Sequence, residues 1–363
     1  MRLGTTRWLL AGVLCLAFWL GGCSNEEERW EGLSVDGETA YRAGRYAEAE
    51  KLFLAALKEA EEFGGRDPRL ATSLNNMALL YKTLGKYAEA EPLYGQALAI
   101  REKALGPEHP DVAQSLNNLA GLYYTRGQYA QAEPLYQRAL AIHEKALGPE
   151  HPDVAIGLNN LAELYHTQGK YAQAEPLFGR ALAIREKALG PEHPEVANSL
   201  NNLAGLYYTQ GQYAQAEPLY RRALAIQEKA VGPEHPHVAI GLNNLALLYY
   251  AQGRYAQAEP LYQRAVAIHE KALGAKHAAL ATDLNNLAEL YHTQGKYAQA
   301  EPLYRRALAI YEQALGPENP RVAETLENYA VLLRKMKRHA EADKMEARAQ
   351  AIRAKHAQEI PQR

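Results

Sequence analysis

The sequence predicts an all-α solenoid built from tandem helix–turn–helix units, and three observations carry that prediction. One block returns with small edits along most of the chain, marked by the pairs Asn75-Asn76, Asn117-Asn118, Asn159-Asn160, Asn201-Asn202, Asn243-Asn244 and Asn285-Asn286, each 42 residues after the last. A fixed period of this size signals a repeat array. Within one block, Leu116, Leu119, Ala120 and Tyr123 recur at i, i+3, i+4 and i+7, the stripe of an amphipathic helix. Glycine and proline punctuate the block at constant places, Gly127 in its middle and Gly148-Pro149 at its end, where helices stop.

The chain opens on a segment of different character. Met1 to Arg7 holds two arginines and no acid, and Trp8 to Leu20 is an unbroken apolar run. That is the pattern of a signal peptide, too short to cross a bilayer comfortably as a helix. It ends in Leu20-Gly21-Gly22-Cys23, which resembles the lipobox of bacterial lipoproteins, although Gly21 stands where Ala, Ser or Thr is usual. The resemblance implies cleavage after residue 22 and acylation of Cys23, which leaves no cysteine for a disulfide, a metal or catalysis. An ordinary secretory signal with a chance cysteine is the alternative. Ser24 after the cysteine implies, by analogy with enterobacterial sorting, the outer membrane facing the periplasm where the source has one. Residues 23–33 read as an acidic tether, whose extended reach is about 35 Å.

The array spans residues 34–352. Its first unit keeps Gly44-Arg45-Tyr46-Ala47-Glu48-Ala49-Glu50 but lacks the Asn pair, so its first helix is divergent. Six well-matched repeats follow at about residues 71–315. In the copy at 112–153 the first helix ends at Gly127, able to take positive φ. Ala132, Leu135, Tyr136, Ala139, Leu140 and Ile142 then mark a second helix. His151-Pro152-Asp153 opens the next unit, with proline in its first turn and an acid near the positive helix end. Pro134 and its equivalents Pro92, Pro176, Pro218, Pro260 and Pro302 fall inside the second helix, where proline removes a backbone donor. Either a late helix start or a repeated kink is expected. The join Leu273 to Leu280 lacks both prolines and reads as the least regular point. The last unit replaces the turn glycine with Lys337 and ends in a polar capping helix, and 353–363 form a polar tail.

The residue spacing of Ala120, Tyr123, Gly127, Tyr129, Ala132, Tyr136 and Ala139 separates this unit from HEAT repeats, and four-stranded propeller blades lack support from any period-2 alternation. The LNNLA-x-LY, G-x-Y-x-x-AE-x-LY-x-RAL-x-I and LG-x-x-HP-x-VA segments resemble the 42-residue tetratricopeptide repeats of kinesin light chains and their bacterial relatives. That resemblance implies a right-handed superhelical solenoid whose groove binds extended peptides.

Bulk properties narrow the function classes. The 363 residues are 47% hydrophobic and 23% charged, with a net charge of −2 that becomes −4 once residues 1–22, bearing Arg2 and Arg7, are set aside. This is no footprint for DNA or RNA. His109, His151, His193 and His235 recur once per repeat, with His143 and His269 in addition. Neighbouring repeats lie about 10 Å apart, too far for several of these histidines to reach one zinc, so they read as helix-start residues before proline. The chain has no HExxH, CxxC, GxSxG or Gly-rich phosphate loop. Near-identical copies offer no asymmetric catalytic constellation, and no enzyme, cofactor, metal or small-molecule substrate is expected. Glu-Lys pairs such as Glu144-Lys145 read as solvated surface.

A candidate binding stripe follows from the helical wheel. With Leu116 at 0° and steps of about 100°, the core falls near zero, Asn117, Tyr124, Gly121 and Gln114 share one flank, and Asn118 lies further round. The first asparagine of each pair, Asn75, Asn117, Asn159, Asn201, Asn243 and Asn285, is therefore assigned to the groove. Donor and acceptor on one amide suit the backbone of an extended strand. The second asparagine is placed at the margin or against the next unit. Variable positions would supply selectivity: Lys82, Tyr124, His166, Tyr208, Tyr250, His292 and Arg334 in one row, and Leu79, Gly121, Glu163, Gly205, Leu247, Glu289 and Val331 in another. Asn pairs that only join repeats are the alternative. The expected function is a lipid-anchored scaffold of the bacterial envelope that binds a protein or extended peptide. The runner-up is an assembly lipoprotein of a pilus or peptidoglycan-synthesis machine that uses the outer face.

Overall fold

A computed structural model describes the backbone of residues 9–359 and the side chains of residues 25–356. Among the described residues there are sixteen helices and no strand. They are α1 (Leu9–Arg42), α2 (Tyr46–Glu62), α3 (Pro68–Thr83), α4 (Tyr87–Leu105), α5 (Pro110–Thr125), α6 (Tyr129–Leu147), α7 (Pro152–Thr167) and α8 (Tyr171–Leu189), followed by α9 (Pro194–Thr209), α10 (Tyr213–Val231), α11 (Pro236–Ala251), α12 (Tyr255–Leu273), α13 (Ala278–Thr293), α14 (Tyr297–Leu315), α15 (Pro320–Lys335) and α16 (His339–Glu359). Successive helices alternate as first and second members of a repeat. The chain divides into two compact units, Met1–Ile184 and Arg185–Arg363.

Two glycines per repeat set this alternation. At the tight turn, Gly127 has φ 69°, its N–H bonds Tyr124 O at 2.9 Å, and Gln128 N–H reaches Tyr123 O at 2.8 Å. This pair of bonds closes the C-terminal end of α5. At the join, Gly148 takes φ 88° and ψ 155°, a region open in practice only to glycine. The following histidine caps the next helix: His151 Nδ1 accepts from the Asp153 N–H at 3.2 Å. His109, His193, His235 and His277 do the same, and Asp67 and Asn319 take the position in the terminal repeats. The capping acceptor is thus a constant and the histidine one way to supply it. His277 does so without either proline, so the 273–280 join is as regular as the others, against expectation. The helix-interior prolines bring no late start. Pro92 lies inside α4, which begins at Tyr87, and costs only the bond to the Ala88 carbonyl in the first turns.

Residues 25–33 correct the expected tether. They belong to α1, where Trp30 Nε1 donates to Ser73 Oγ at 2.8 Å, Arg29 pairs with Glu59 at 3.1 Å and Glu27 with Arg69 at 3.1 Å. Trp30, Arg29 and Glu27 tie this segment to α2 and α3, and α1 is the first helix of the first repeat. The putting-aside of residues 1–22 as a signal concerns residues 1–8, which lie outside the described residues, and side chains 9–24, including Cys23, which lie outside the described side chains. At the other end α16 runs to Glu359, past the expected limit of 352.

In each unit the core is a succession of layers with alanine at the close helix approaches. Ala120, Ala132 and Ala139 are fully buried, as are Ala246, Ala258 and Ala265. First helices are buried on two flanks, because each lies between its own second helix and its neighbours. Val112, Ser115 and Leu122 are therefore as buried as Leu116.

Most of the buried polar side chains sit at two positions of that packing, fourteen residues apart across each join. In unit 1, Arg101 Nη1 donates to Ser115 Oγ at 3.0 Å, while His143, fourteen residues before Gly157, is buried. In unit 2, Arg185 donates to Ser199 Oγ at 2.7 Å, Gln227 stands over Gly241, and His269 Nδ1 meets Asp283 Oδ2 at 2.6 Å. Asp283 Oδ1 also accepts from Asn243 Nδ2 at 2.6 Å, and His269 Nε2 lies 3.2 Å from Pro236 O. His143 and His269 are thus second-helix residues inside the interface, 6% and 3% exposed, and not helix-start residues.

Two outcomes follow from this packing. Lys337 adopts φ 63°, the one positive-φ residue other than glycine among those described, with the same pair of turn bonds to Arg334 O and Leu333 O. Lys337→Gly removes the Cβ penalty and should stabilise the C-terminal repeat by about 1 kcal/mol, read as a higher denaturant midpoint. Asp283→Ala strands His269 and Asn243 in a closed interface and should cost about 3 kcal/mol or more. The pair His269→Gln with Asp283→Gly, which copies the Gln227/Gly241 interface, should recover most of it in the same urea titration.

Candidate functional site

The first helices of unit 1 leave an open arc opposite their buried flanks, and a pocket of about 460 Å³ lies there. Leu79 and Lys82 of α3 border it, α5 contributes Asp111, Gln114, Asn117, Asn118 and Gly121, and α7 contributes Asp153, Ile156 and Asn160. Tyr94, Tyr136 and His143, from second helices, reach its floor. Burial pushes the phenols of Tyr94 and Tyr136 well up from their ordinary range, so they meet the pocket as neutral hydroxyls.

The arc is centred nearer Gln114 and Gly121 than Asn117, because both flanks of the helix are buried. The second asparagine is therefore in the pocket, not at its margin: Asn118 and Asn160 both line it. The wheel placed one buried flank and missed the other, and the burial of Ser115 and Leu122 is what moves the stripe.

The first asparagines divide. Asn117 lines the pocket, and its Oδ1 is enclosed without a hydrogen-bond donor from the chain. Asn201 Oδ1 and Asn243 Oδ1 are in the same state, although Asn243 Nδ2 is engaged by Asp283. Asn75 and Asn285 are buried and accept from Asn118 Nδ2 and Asn328 Nδ2 at 3.5 Å, so the amides also run from repeat to repeat. Asn159 is half-buried and engaged within the structure. The row thus holds both amides that join repeats and an amide that borders the pocket.

The Tyr/His row is less open than its spacing implies. Tyr124 Oη and Thr167 Oγ1 are 2.8 Å apart, and Tyr250 Oη lies 2.9 Å from Thr293 Oγ1 and donates to Glu289 at 3.2 Å. Each ring rests on the tyrosine that opens the second helix of its own repeat: Tyr124 on Tyr129, His166 on Tyr171, Tyr208 on Tyr213, Tyr250 on Tyr255 and His292 on Tyr297, with centroids 5.7–5.8 Å apart. Burial lowers the imidazoles of His166 and His292 and raises the phenols of Tyr124, Tyr208 and Tyr250. These residues close the top of each repeat, and none of them borders the unit 1 pocket.

The variable row is open in both units. Leu79, Leu247 and Val331 expose large side chains, as do Ile156 and Ile240 one turn pair below. Gly121 leaves a notch in which an added Cβ would come within 3.1 Å of Lys82 Nζ and 3.5 Å of Tyr136 Oη. Burial lowers the Lys82 ammonium.

The Glu-Lys pairs are not idle surface. Glu144 binds Arg180 at 2.6 Å, and Lys145 pairs with Glu108 of the preceding join. Glu102–Arg138 in unit 1 and Glu186–Arg222 and Glu228–Arg264 in unit 2 repeat the first of these. Among the described residues no cluster of His, Cys, Asp or Glu could hold a metal ion.

Comparison with known proteins matches the family described as Tetratricopeptide repeat at residues 37–103, 76–145, 111–187, 153–229, 237–313 and 284–355. No curated protein matches the chain. Among solved structures, a Podosopora anserina kinesin light chain with nearly identical TPR-like repeats is 33% identical at a TM-score of 0.51, over 57% of this chain and 97% of that one. BtubC (BKLC) from P. vanneervenii is 27% identical at a TM-score of 0.52, over 69% of this chain and 92% of that one. A Rap protein complexed with Competence and Sporulation Factor, 18% identical at a TM-score of 0.55 over 92% and 99%, shares the fold. The family match spans most of the described chain, the helix pairs have the required turn and join, and the chain belongs to the tetratricopeptide repeat family, in its kinesin light chain-like form.

Proposed function

We propose that the chain is a non-enzymatic scaffold that holds an extended peptide, or an extended segment of a partner protein, along the asparagine-bearing arc of its first helices. The observation that supports this most directly is the enclosed Asn117 Oδ1 at the edge of the unit 1 pocket, an acceptor that a peptide N–H would satisfy. Asn118, Asn160 and Gln114 beside it can serve donors and acceptors alike, which suits main-chain recognition with little dependence on sequence. Leu79 and Ile156 add apolar contact for side chains. The scaffold is anchored, in this proposal, by lipid on Cys23 in a bacterial cell envelope. The support is the lipobox-like Leu20-Gly21-Gly22-Cys23 behind an apolar run. Among the described residues no helix is long and apolar enough to cross a membrane, and acyl chains would add about 0.8 kcal/mol per buried CH₂.

Three measurements test these parts separately. Asn117→Ala, Asn118→Ala and Asn160→Ala together should cut partner capture from envelope extract about tenfold or more while circular dichroism stays helical. Capture unchanged by the triple variant, but lost on substituting outward-facing second-helix residues, would move the binding to the outer face. Mass spectrometry of the mature protein should find an acylated Cys23 at the N-terminus, and Cys23→Ser should move the protein from the membrane to the soluble fraction. An unmodified Cys23, or cleavage elsewhere, overturns the anchor.

A further inference from the structure

We propose that the unit 1 pocket is selective for a basic side chain of the bound segment, a guanidinium or alkylammonium group lodged against Asp153, Asn117 and His143. The inference rests on the peptide-binding reading of this groove and names the side-chain chemistry it takes.

The repeat itself shows what is unusual here. The second-helix position that reaches each interface is followed, ten residues on, by a residue in the first turn of the next helix. Where that residue is acidic, two copies supply a cation from within. Arg101 Nη1 donates to Asp111 O at 3.0 Å, Gln114 Oε1 at 3.1 Å and Ser115 Oγ at 3.0 Å. Arg185 donates to Ser199 Oγ, and its Nη2 lies 3.5 Å from Glu195. The third copy keeps the acid, Asp153, but has His143 in place of arginine and Gly157 in place of serine.

Asp153 gains no cation from its own helix cap. Its nearest basic partner is His151 Nδ1 at 3.6 Å, and that nitrogen is engaged as acceptor of the Asp153 N–H. His143 is 6% exposed, lines the pocket, and its Nδ1 meets no hydrogen-bond partner in the chain. Asn117 Oδ1, on the facing helix, is enclosed and equally unmet. A carboxylate, an amide oxygen and an imidazole nitrogen, in the tautomer protonated on Nε2, therefore border one pocket as acceptors. A group with several N–H donors and a positive charge answers all three. Asp111, the other carboxylate on the pocket, lies in the field of the Arg101 guanidinium, which bonds its backbone carbonyl at 3.0 Å. Lys82 borders the same pocket at the level of Gly121, about 15 Å along the axis from the level of Asp153 and about 6 Å from that of Asn117.

The test is calorimetric titration of the full chain with blocked ten-residue peptides of uncharged polar sequence carrying one central Arg, Lys, Gln or Glu. Arg and Lys peptides should bind at least about tenfold more tightly than the Gln peptide, with Glu weakest; the order of Arg and Lys tells guanidinium from ammonium. His143→Arg with Gly157→Ser rebuilds in the chain the arrangement of Arg101 and Ser115. It should abolish the basic preference, leave Gln-peptide binding in place, and hold or raise the melting temperature. Asp153→Asn should reduce the preference as well. Arg and Gln peptides binding alike to the parent chain overturns the selectivity and leaves the groove standing. No binding by any of the four overturns both.

Discussion

Everything in this molecule depends on the burial of one helix pair against the next. A two-helix unit cannot enclose its own apolar surface, so its first helix must be covered on two flanks at once. The sequence meets that demand with alanine where axes approach, fully buried at Ala120, Ala132 and Ala139, and with two glycines that turn the chain at fixed points. The turn glycine closes the first helix, and the join glycine lets the second helix end and the next capping residue follow within three positions. Change either glycine's backbone geometry and the apolar faces no longer meet. That is why even Lys337, where the turn glycine is replaced, keeps a positive φ and both turn bonds.

Near-identity of copies creates a second demand, because an apolar face that fits its neighbour would fit any other copy. The buried polar positions meet it. Gln227 Oε1 lies 2.8 Å from where a Cβ would stand on Gly241, so the amide occupies the space that the aspartate fills one repeat later. Asp283 in turn is 1% exposed and is stable only against a partner such as His269, since an unpaired buried carboxylate is costly. Pairing Asp283 out of order thus strands a charge. Exposed ion pairs such as Glu228–Arg264, worth no more than about 1 kcal/mol each, recur in kind and cannot discriminate in this way.

Much of the fold was legible in the sequence because period, stripe and punctuation are local signals. Gly127, Gly148 and the cap at His151 can each be read from a few neighbouring residues. The capping histidines illustrate the limit of that: their chemistry was mistaken only when His143 and His269 were grouped with them, although these lie in a different helix. The interface pairs were invisible for a related reason. Their members are fourteen residues apart, change identity from copy to copy, and show no periodic letter to follow. The site was half legible. The wheel found Asn117, Gln114 and Gly121, but one buried flank was assumed, and the second flank at Ser115 and Leu122 turned the open arc toward Asn118. The Tyr/His row was drawn into the groove by angle alone, whereas Thr167 and Thr293 on the next repeat had already claimed the hydroxyls of Tyr124 and Tyr250.

Function in such an array must come from departures rather than from the repeated letters. Residues common to all copies are committed to turns, caps and layers, and leave only main-chain recognition to the arc. What distinguishes one stretch from another is the handful of positions where the copies disagree. In unit 1 those are Gln114 against Ile156, Gly121 against Leu79, and above all His143 and Gly157 where Arg101 and Ser115 stand one repeat earlier. An arginine that reaches an interface satisfies its neighbours from inside and leaves nothing to bind. A histidine and a glycine in the same two places leave an amide oxygen and a ring nitrogen enclosed and unmet beside an acid on the pocket. In the proposed binding mode, these two positions decide where the groove is closed and where it can receive a partner.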